Sequence, residues 1–300
     1  MESTTVSVIM SIYNETEEEL KKSIASVLTQ TYENIEFIII NDNPESDVNK
    51  TILSSINDQR VKIYHNPKNV GLVNSLNFAL IKANGDYIAR MDADDISLPN
   101  RIKSQLTYLK KYRLDIIGGW IKIIDESDNI IGSMQFPKTD KFVKKCIKYG
   151  GCVPHPTWLV KREIYDALKG YRNIPSCEDY DFLNRAIYHG YKIGNIPEYV
   201  LKYRVRNNSV SFTNQAQQLI TRRFISDNRK KILDLTEKRI FDFMSSPEYR
   251  KKIKQIEQYE QIKRKAKDEK SIKYFCLLFF QEPFYRLVKE RLCFKLYTNR

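Results

Sequence analysis

Three aspartates, Asp92, Asp94 and Asp95, fall within four positions directly after a short apolar run at 87–91. Carboxylates at the carboxyl end of a strand stand where open α/β sheets place their ligands. Like charges so close repel unless a cation or a donor-rich ligand answers them. Hard oxygen donors of this kind suit Mg²⁺ or Mn²⁺, ions that commonly arrive with phosphates. The competing reading is a solvated acidic turn that caps the next helix, because Asp is frequent at N-caps. A second acidic group, Glu178, Asp179 and Asp181, opens an amphipathic segment carrying Phe182, Leu183, Ala186 and Ile187. Acids in a first helical turn are favoured by the helix dipole alone, so this group also has a structural explanation. Between the two groups lies a loop rich in turn formers at 150–157, with His155 between two prolines. His155 reads either as a hydrogen-bonding partner of an acceptor hydroxyl or donor phosphate, or as a ring held in place for structural reasons.

The elements that must position these residues are legible from periodicity. Residues 6–12 form a β-rich apolar run, followed by the polar loop Tyr13-Asn14-Glu15. Thr16 is placed to cap a helix whose first turn carries Glu17, Glu18 and Glu19. Strands are expected at 35–40, 61–64 and 87–91, with helices at 48–56 and from Gly71 onward. This β-α alternation predicts a parallel sheet with helices on both faces. In such a sheet Asp42 and Asp92, each after a strand, share one edge, and an acid after an early strand can accept from a nucleoside base or ribose. Neither a GxGxxG nor a P-loop is present, so metal and side chains would have to hold the phosphates. Further on, the pattern predicts a helix at 101–112, a hairpin of 116–124 with 130–134, a short helix at 142–149 and a strand at 200–205.

The chain has 300 residues and five cysteines without a CxxC pair, which points to reduced thiols in a cytosol and away from a zinc site. The polar start shows no signal peptide, and no apolar run reaches the roughly 18 residues of a membrane span. Charge is unevenly distributed. Residues 1–215 hold 28 Lys/Arg and 26 Asp/Glu, whereas residues 216–300 hold 22 and 11. A neutral domain with a basic tail suits an anionic surface better than nucleic acid.

The ordered motifs carry a resemblance. Ser11-Ile12-Tyr13-Asn14-Glu15 after the first strand, Asn41-Asp42-Asn43 after the second, Asn69-Val70-Gly71, and the run from Arg90 through Asp92, Asp94 and Asp95 to Arg101 together resemble the family 2 glycosyltransferases. The likeness spans about residues 5–212. It implies the GT-A (Rossmann-like) α/β fold, a mixed, mainly parallel sheet flanked by helices. It also implies inverting transfer of one sugar from a nucleotide-diphosphate sugar, UDP-linked by family habit. By resemblance Asp42 meets the base, Asp92 the ribose, and Asp94 the Mn²⁺ or Mg²⁺ that bridges the diphosphate. Ser11, Tyr13, Glu15, Asn69 and His155 complete the donor site. Asp179 becomes the catalytic base, with Glu178 positioning the acceptor and Asp181 left as a surface or helix-wall residue. An inverting transfer needs such a carboxylate on the sugar face opposite the leaving group. The chain departs from the family in three places. Arg206 stands where many relatives have histidine, and a guanidinium pairs with phosphate rather than metal. Asn-Asp-Asn replaces the commoner Asp-Asp-Gly, and Leu76 replaces an arginine. The Gln-x-x-Arg-Trp motif is absent, which favours single-sugar transfer over polymer synthesis.

The division expected is a catalytic domain at 1–215 and a basic helical extension at 216–300. Residues 249–270 read as a charged helix whose Ile253/Ile256/Ile262 stripe is a solvated face or a weak homodimer seam. The aromatic run at 274–280, and a second segment with Phe284, Leu287, Val288, Leu292 and Leu296 on one side, describe an interfacial helix. The enzyme is therefore expected in the cytoplasm, peripheral on the inner face of the cell membrane. There it would act on a saccharide or lipid-linked acceptor of capsule, O-antigen or lipooligosaccharide. The other readings are a sugar-nucleotide nucleotidyltransferase, which would need a Gly-rich basic loop after the first strand, and a catalytically silent adaptor bound through its tail.

Overall fold

Runs rich in Val, Ile and Phe bounded by polar loops make the first strands, and burial on both sides explains why the first two are apolar almost throughout. In the computed structural model these are β1 (Val6–Ile12), β2 (Ile35–Asn41), β3 (Val61–His65) and β4 (Tyr87–Asp92), ordered β3-β2-β1-β4 and mutually parallel. The structure describes residues 4–206, 214–268, 277–278, 281 and 283–298. Helices α1 (Glu17–Leu28), α2 (Asp47–Ser54) and α3 (Leu72–Lys82) make the crossovers. Helix α1 begins with a capping box in which Glu19 N donates to Thr16 Oγ1 and Thr16 N donates to Glu19.

After β4 the chain turns through β5 (Ile96–Ser97) into α4 (Arg101–Tyr112), then β6 (Ile116–Ile124), β7 (Ile130–Met134) and α5 (Asp140–Cys146). Strand β8 (Leu159–Lys161) leads to α6 (Arg162–Leu168) and α7 (Glu178–Tyr188), and β9 (Ile193–Arg204) closes this part. The β6–β7 hairpin lies at the expected residues, and the α5 helix lies two residues earlier than expected and ends sooner. Two elements depart from the sequence expectation. Three-residue β8 inserts antiparallel between β4 and β6, which makes the sheet mixed. Strand β9 starts at Ile193 rather than Val200, because it pairs parallel along the whole of β6.

Successive side chains of a strand face opposite sides, and the two apolar layers sort accordingly. Ile9, Ile38, Ile40 and Ile88 face α3, α6 and α7; Val8, Met10, Phe37, Ile39, Ala89 and Met91 face α1, α2 and α4. By the same parity Arg90 and Asp92 share the face of Ile88, under α7.

The C-terminal segment comprises α8 (Gln215–Asn228), α9 (Glu237–Ser245), α10 (Pro247–Asp268) and α11 (Pro283–Thr298). Ile225, Ile232, Leu235 and Ile240 enter the same core as Ile88 and Phe182. The Ile253/Ile256/Ile262 stripe of α10 packs within the chain, with Ile220, Leu278 and Leu287, so it is neither a solvated face nor a free seam. The apolar set of α11 also divides: Leu287 is buried, whereas Leu292 and Leu296 are exposed with Tyr285. Most of the aromatic run at 274–280 lies outside the described residues. Among those described, no helix is long and apolar enough to cross a membrane.

Candidate active site

The parallel register brings the strand ends level, with Ser11 opposite Asp92 and Ile12 opposite Asn41. The loops carrying Tyr13, Glu15, Asp42 and Asp94 therefore emerge along one edge. Carboxylate oxygens of Asp92, Asp94 and Asp95 lie within 4.8 Å of one another. Burial, then the charge of Asp92, pushes Asp94 up to about 6, with Arg206 pulling the other way. Asp95 is fully buried and held well above the carboxylate range by burial and its two neighbours. Its Oδ1 accepts from Arg204 N at 2.8 Å, and its Oδ2 has no hydrogen-bond partner among the described residues. An orphaned buried carboxylate oxygen beside two more hard donors fits a divalent cation.

Arg206 ends β9's trail across this cluster: its Nη2 stands 2.9 Å from Glu19 Oε2 and 3.2 Å from Asp94 Oδ2. Glu19 thus serves both the helix cap and the site. Arg204 ties the same corner together. Its Nε donates to Asp94 O, its Nη1 to Asp125 O at the hairpin turn, and its Nη2 pairs with Asp128. Glu15, half-buried at this corner, is pushed up to about 7, first by desolvation and against the hydrogen bond from Tyr13 N. The cleft lined by Thr16, Glu19, Glu126, Arg204 and Arg206 has a volume of about 530 Å³.

Asp42 is buried, and its carboxylate accepts from Asn66 Nδ2, Val70 N and Gly71 N at 2.8–2.9 Å. It shapes the loop that presents exposed Asn69, which itself accepts from Gly71 N. Gly71 sits at φ +86°, a conformation a side chain would strain.

On the far side, α7 begins at Glu178 over the face shared by Arg90 and Asp92. Burial and then the charge of Asp179 raise Glu178 to about 7; Arg90 and Asp92 also act on it. Asp179 is raised by burial, opposed by the hydrogen bond from Tyr180 N and by the charges of Arg90 and Arg222. The two acidic groups therefore share one electrostatic neighbourhood. His155 is buried, with Nε2 2.8 Å from Tyr171 Oη and Nδ1 4.0 Å from Glu178 Oε1. Burial and the charge of Arg90 hold it neutral. Asp181 is not at the surface: it is fully buried and accepts from Arg172 Nε and Arg185 Nε at 2.9 and 2.8 Å. Placed one helical turn from Arg185, it anchors α7 instead of facing solvent.

Arg90 was placed in the aspartate motif by the sequence reading and was given no role. It pairs with Asp92 and is 3% exposed, and its Nε and Nη1 have no hydrogen-bond partner among the described residues. Each such orphan costs roughly 1–3 kcal/mol. A charge in the middle of an otherwise apolar strand was the available signal, since buried charges must be answered.

The model of glycosyl transferase family 2 matches residues 7–169, more than half of the chain. The chain belongs to that family. An uncharacterised glycosyltransferase of Methanocaldococcus jannaschii is 38% identical over 212 residues, covering 69% of this chain and 73% of the relative. The O-antigen biosynthesis glycosyltransferase WbnJ of Escherichia coli is 33% identical over 209 residues, covering 68% and 81%. Among solved structures, S. aureus TarS 1–349 in complex with UDP-GlcNAc superimposes with a TM-score of 0.58 at 18% identity, over 86% of this chain and 79% of that one. The mixed, mainly parallel sheet with its helices is thus the GT-A fold of a glycosyltransferase, as the motif order implied.

Proposed function

We propose that this glycosyltransferase moves one sugar, with inversion, from a UDP-sugar to a saccharide or lipid-linked acceptor of a cell-surface polysaccharide. The observation that supports this reading is the approach of two acidic groups: Glu178, which opens α7, lies within reach of the charge of Asp92 at the carboxyl end of β4. Relatives named for O-antigen synthesis and a similar fold bound to UDP-GlcNAc support the class of donor and product.

Asp42 and the Asn69 loop, with Ser11, Tyr13 and Glu15, hold the nucleoside, and Asp92 meets the ribose. A divalent cation, Mn²⁺ or Mg²⁺, held by Asp94 and its neighbours would neutralise the diphosphate and ease departure of the nucleotide. Arg206, released from Asp94, pairs with phosphate oxygens. Asp179 takes the proton from the attacking hydroxyl, kept ionisable by Arg90 and Arg222. Glu178, with neutral His155 beside it, orients the acceptor. Asp179→Asn tests this: UDP release falls by about 10²–10⁴-fold while UDP affinity is unchanged. Undiminished turnover would remove Asp179 from the chemistry.

The same reading puts residues 216–300 against an anionic membrane. Lys148 is held below the usual lysine range by burial and by Arg229, Lys230 and Lys145, a mutually repelling cluster that an anionic surface would relieve. Nearby, α11 exposes Tyr285, Leu292 and Leu296 among Lys289, Arg291 and Lys295. Flotation with phosphatidylserine vesicles, lost at about 0.5 M salt because surface charges are then largely screened, is the expected outcome. Equal flotation of a charge-reversed Lys145/Lys148/Arg229/Lys230 variant would refute it.

A further inference from the structure

We infer that Arg90 is a sugar-recognition residue, whose buried guanidinium donates hydrogen bonds to oxygen atoms of the hexose being transferred. This rests on the nucleotide-sugar reading above and deepens it. Arg90 lies on β4 with its side chain on the face of Ile88 and Asp92, and it is 3% exposed. One of its nitrogens, Nη2, is committed to Asp92 Oδ1. That leaves the Nε–H and both Nη1–H bonds, and neither nitrogen has a partner among the described residues.

The surroundings leave these donors without a protein acceptor among the described residues. Arg90 N donates to Trp158 O at 3.0 Å, beside the turn that carries His155, whose Nδ1 stands 4.0 Å from Glu178 Oε1. Among the described residues Asp92 is the carboxylate that pairs with Arg90. The aromatic hydroxyls are engaged elsewhere: Tyr171 Oη with His155 Nε2 and with Tyr165 Oη, each at 2.8 Å. A guanidinium stays protonated, so it serves here as a donor and not as an acid or base.

Arg90 therefore stands between the aspartates at the diphosphate end and the acids at the acceptor end. Inversion requires the transferred ring to occupy that interval, with the base on one side and the leaving group on the other. Ring hydroxyls are acceptors of the right kind for a planar donor set. A donor set this buried penalises a sugar that lacks the matching oxygen, because the N–H groups stay unpaired. The residue would select hexoses presenting oxygen toward β4.

The experiment measures binding by calorimetry with Mn²⁺ present, using UDP, GDP and dTDP alone, then UDP-glucose, UDP-galactose, UDP-GlcNAc and UDP-glucuronate. Arg90→Lys keeps the charge beside Asp92 and removes the planar donors. For the hexose that the unaltered protein binds most tightly, Arg90→Lys should lose about tenfold or more, with affinity for the bare diphosphate within about twofold. Equal losses for nucleotide and nucleotide-sugar, or no loss for either, would overturn the assignment. Independently of any variant, deoxy analogues of that hexose should show a site-specific loss in the unaltered protein, and Arg90→Lys should no longer discriminate them. Uniform tolerance of every deoxy analogue would also overturn it. Failure of all three bare diphosphates to bind would instead defeat the nucleotide-sugar reading itself, and Arg90's role with it.

Discussion

Replacing Arg206 by alanine should move two affinities in opposite directions. Arg206 Nη2 sits 2.9 Å from Glu19 and 3.2 Å from Asp94, in a corner that also holds Asp92 and Asp95. If its proposed partner in the loaded enzyme is the diphosphate, truncation removes charge-assisted hydrogen bonds worth about 1.5–3 kcal/mol. UDP binding should then weaken by roughly 10–150-fold. In the free enzyme the same guanidinium competes for Asp94. That pair is about a quarter exposed on each side, so the competition is worth about 1 kcal/mol at most. Without it, Mn²⁺ should bind up to about fivefold more tightly. Titration calorimetry with UDP at saturating Mn²⁺, and Mn²⁺ titration of the nucleotide-free protein, separate the effects. An unchanged UDP affinity would refute the phosphate clamp. Weaker Mn²⁺ binding would refute the idea that Arg206 occupies the cation's place.

Two other substitutions probe the start of α7. Asp181→Asn leaves Arg172 and Arg185 without their buried counter-charge, at a cost of about 3–5 kcal/mol. The melting temperature in scanning calorimetry should drop by about 5–8 °C, and a shift below about 3 °C would contradict the anchoring role. Glu178, raised to about 7 in the folded chain, keeps a proton that the unfolded chain releases near the ordinary glutamate value of 4.5. The nucleotide-free protein should therefore lose stability as pH rises from about 4.5 to about 7, by about 1 kcal/mol per unit from this group. Glu178→Gln should flatten that part of the urea-melt profile, and an unchanged slope would contradict the assignment.

What the sequence made legible was what local pattern controls. The strands ending at Asn41 and Asp92, helix α4, the β6–β7 hairpin and the capped start of α1 follow from periodicity and turn chemistry. Strand β8 was not readable, because three residues carry no period and its partners β4 and β6 are fixed only by tertiary packing. The acidic groups stood out, since Asp92, Asp94 and Asp179 are adjacent in sequence to other acids. Of their cationic partners Arg206 was singled out, whereas Arg204 and Arg222 come from elements far away in sequence and Arg90, two residues from Asp92, was given no role. Asp181 was misplaced for a related reason: a helix-start carboxylate satisfies the dipole equally well exposed or buried, and Arg172, which settles the matter, lies before the helix.

Helix α8 grips the turn that launches the acids: Gln218 donates to Ser176 O and accepts from Cys177 Sγ, while Ser226 donates to Lys148 O. The basic helices and the mouth of the cleft are thereby indexed to each other like jaws on a fixed stand. A flat surface receiving those helices would meet the opening at a set height, so the length of an acceptor, measured from that surface, would select which hydroxyl is offered.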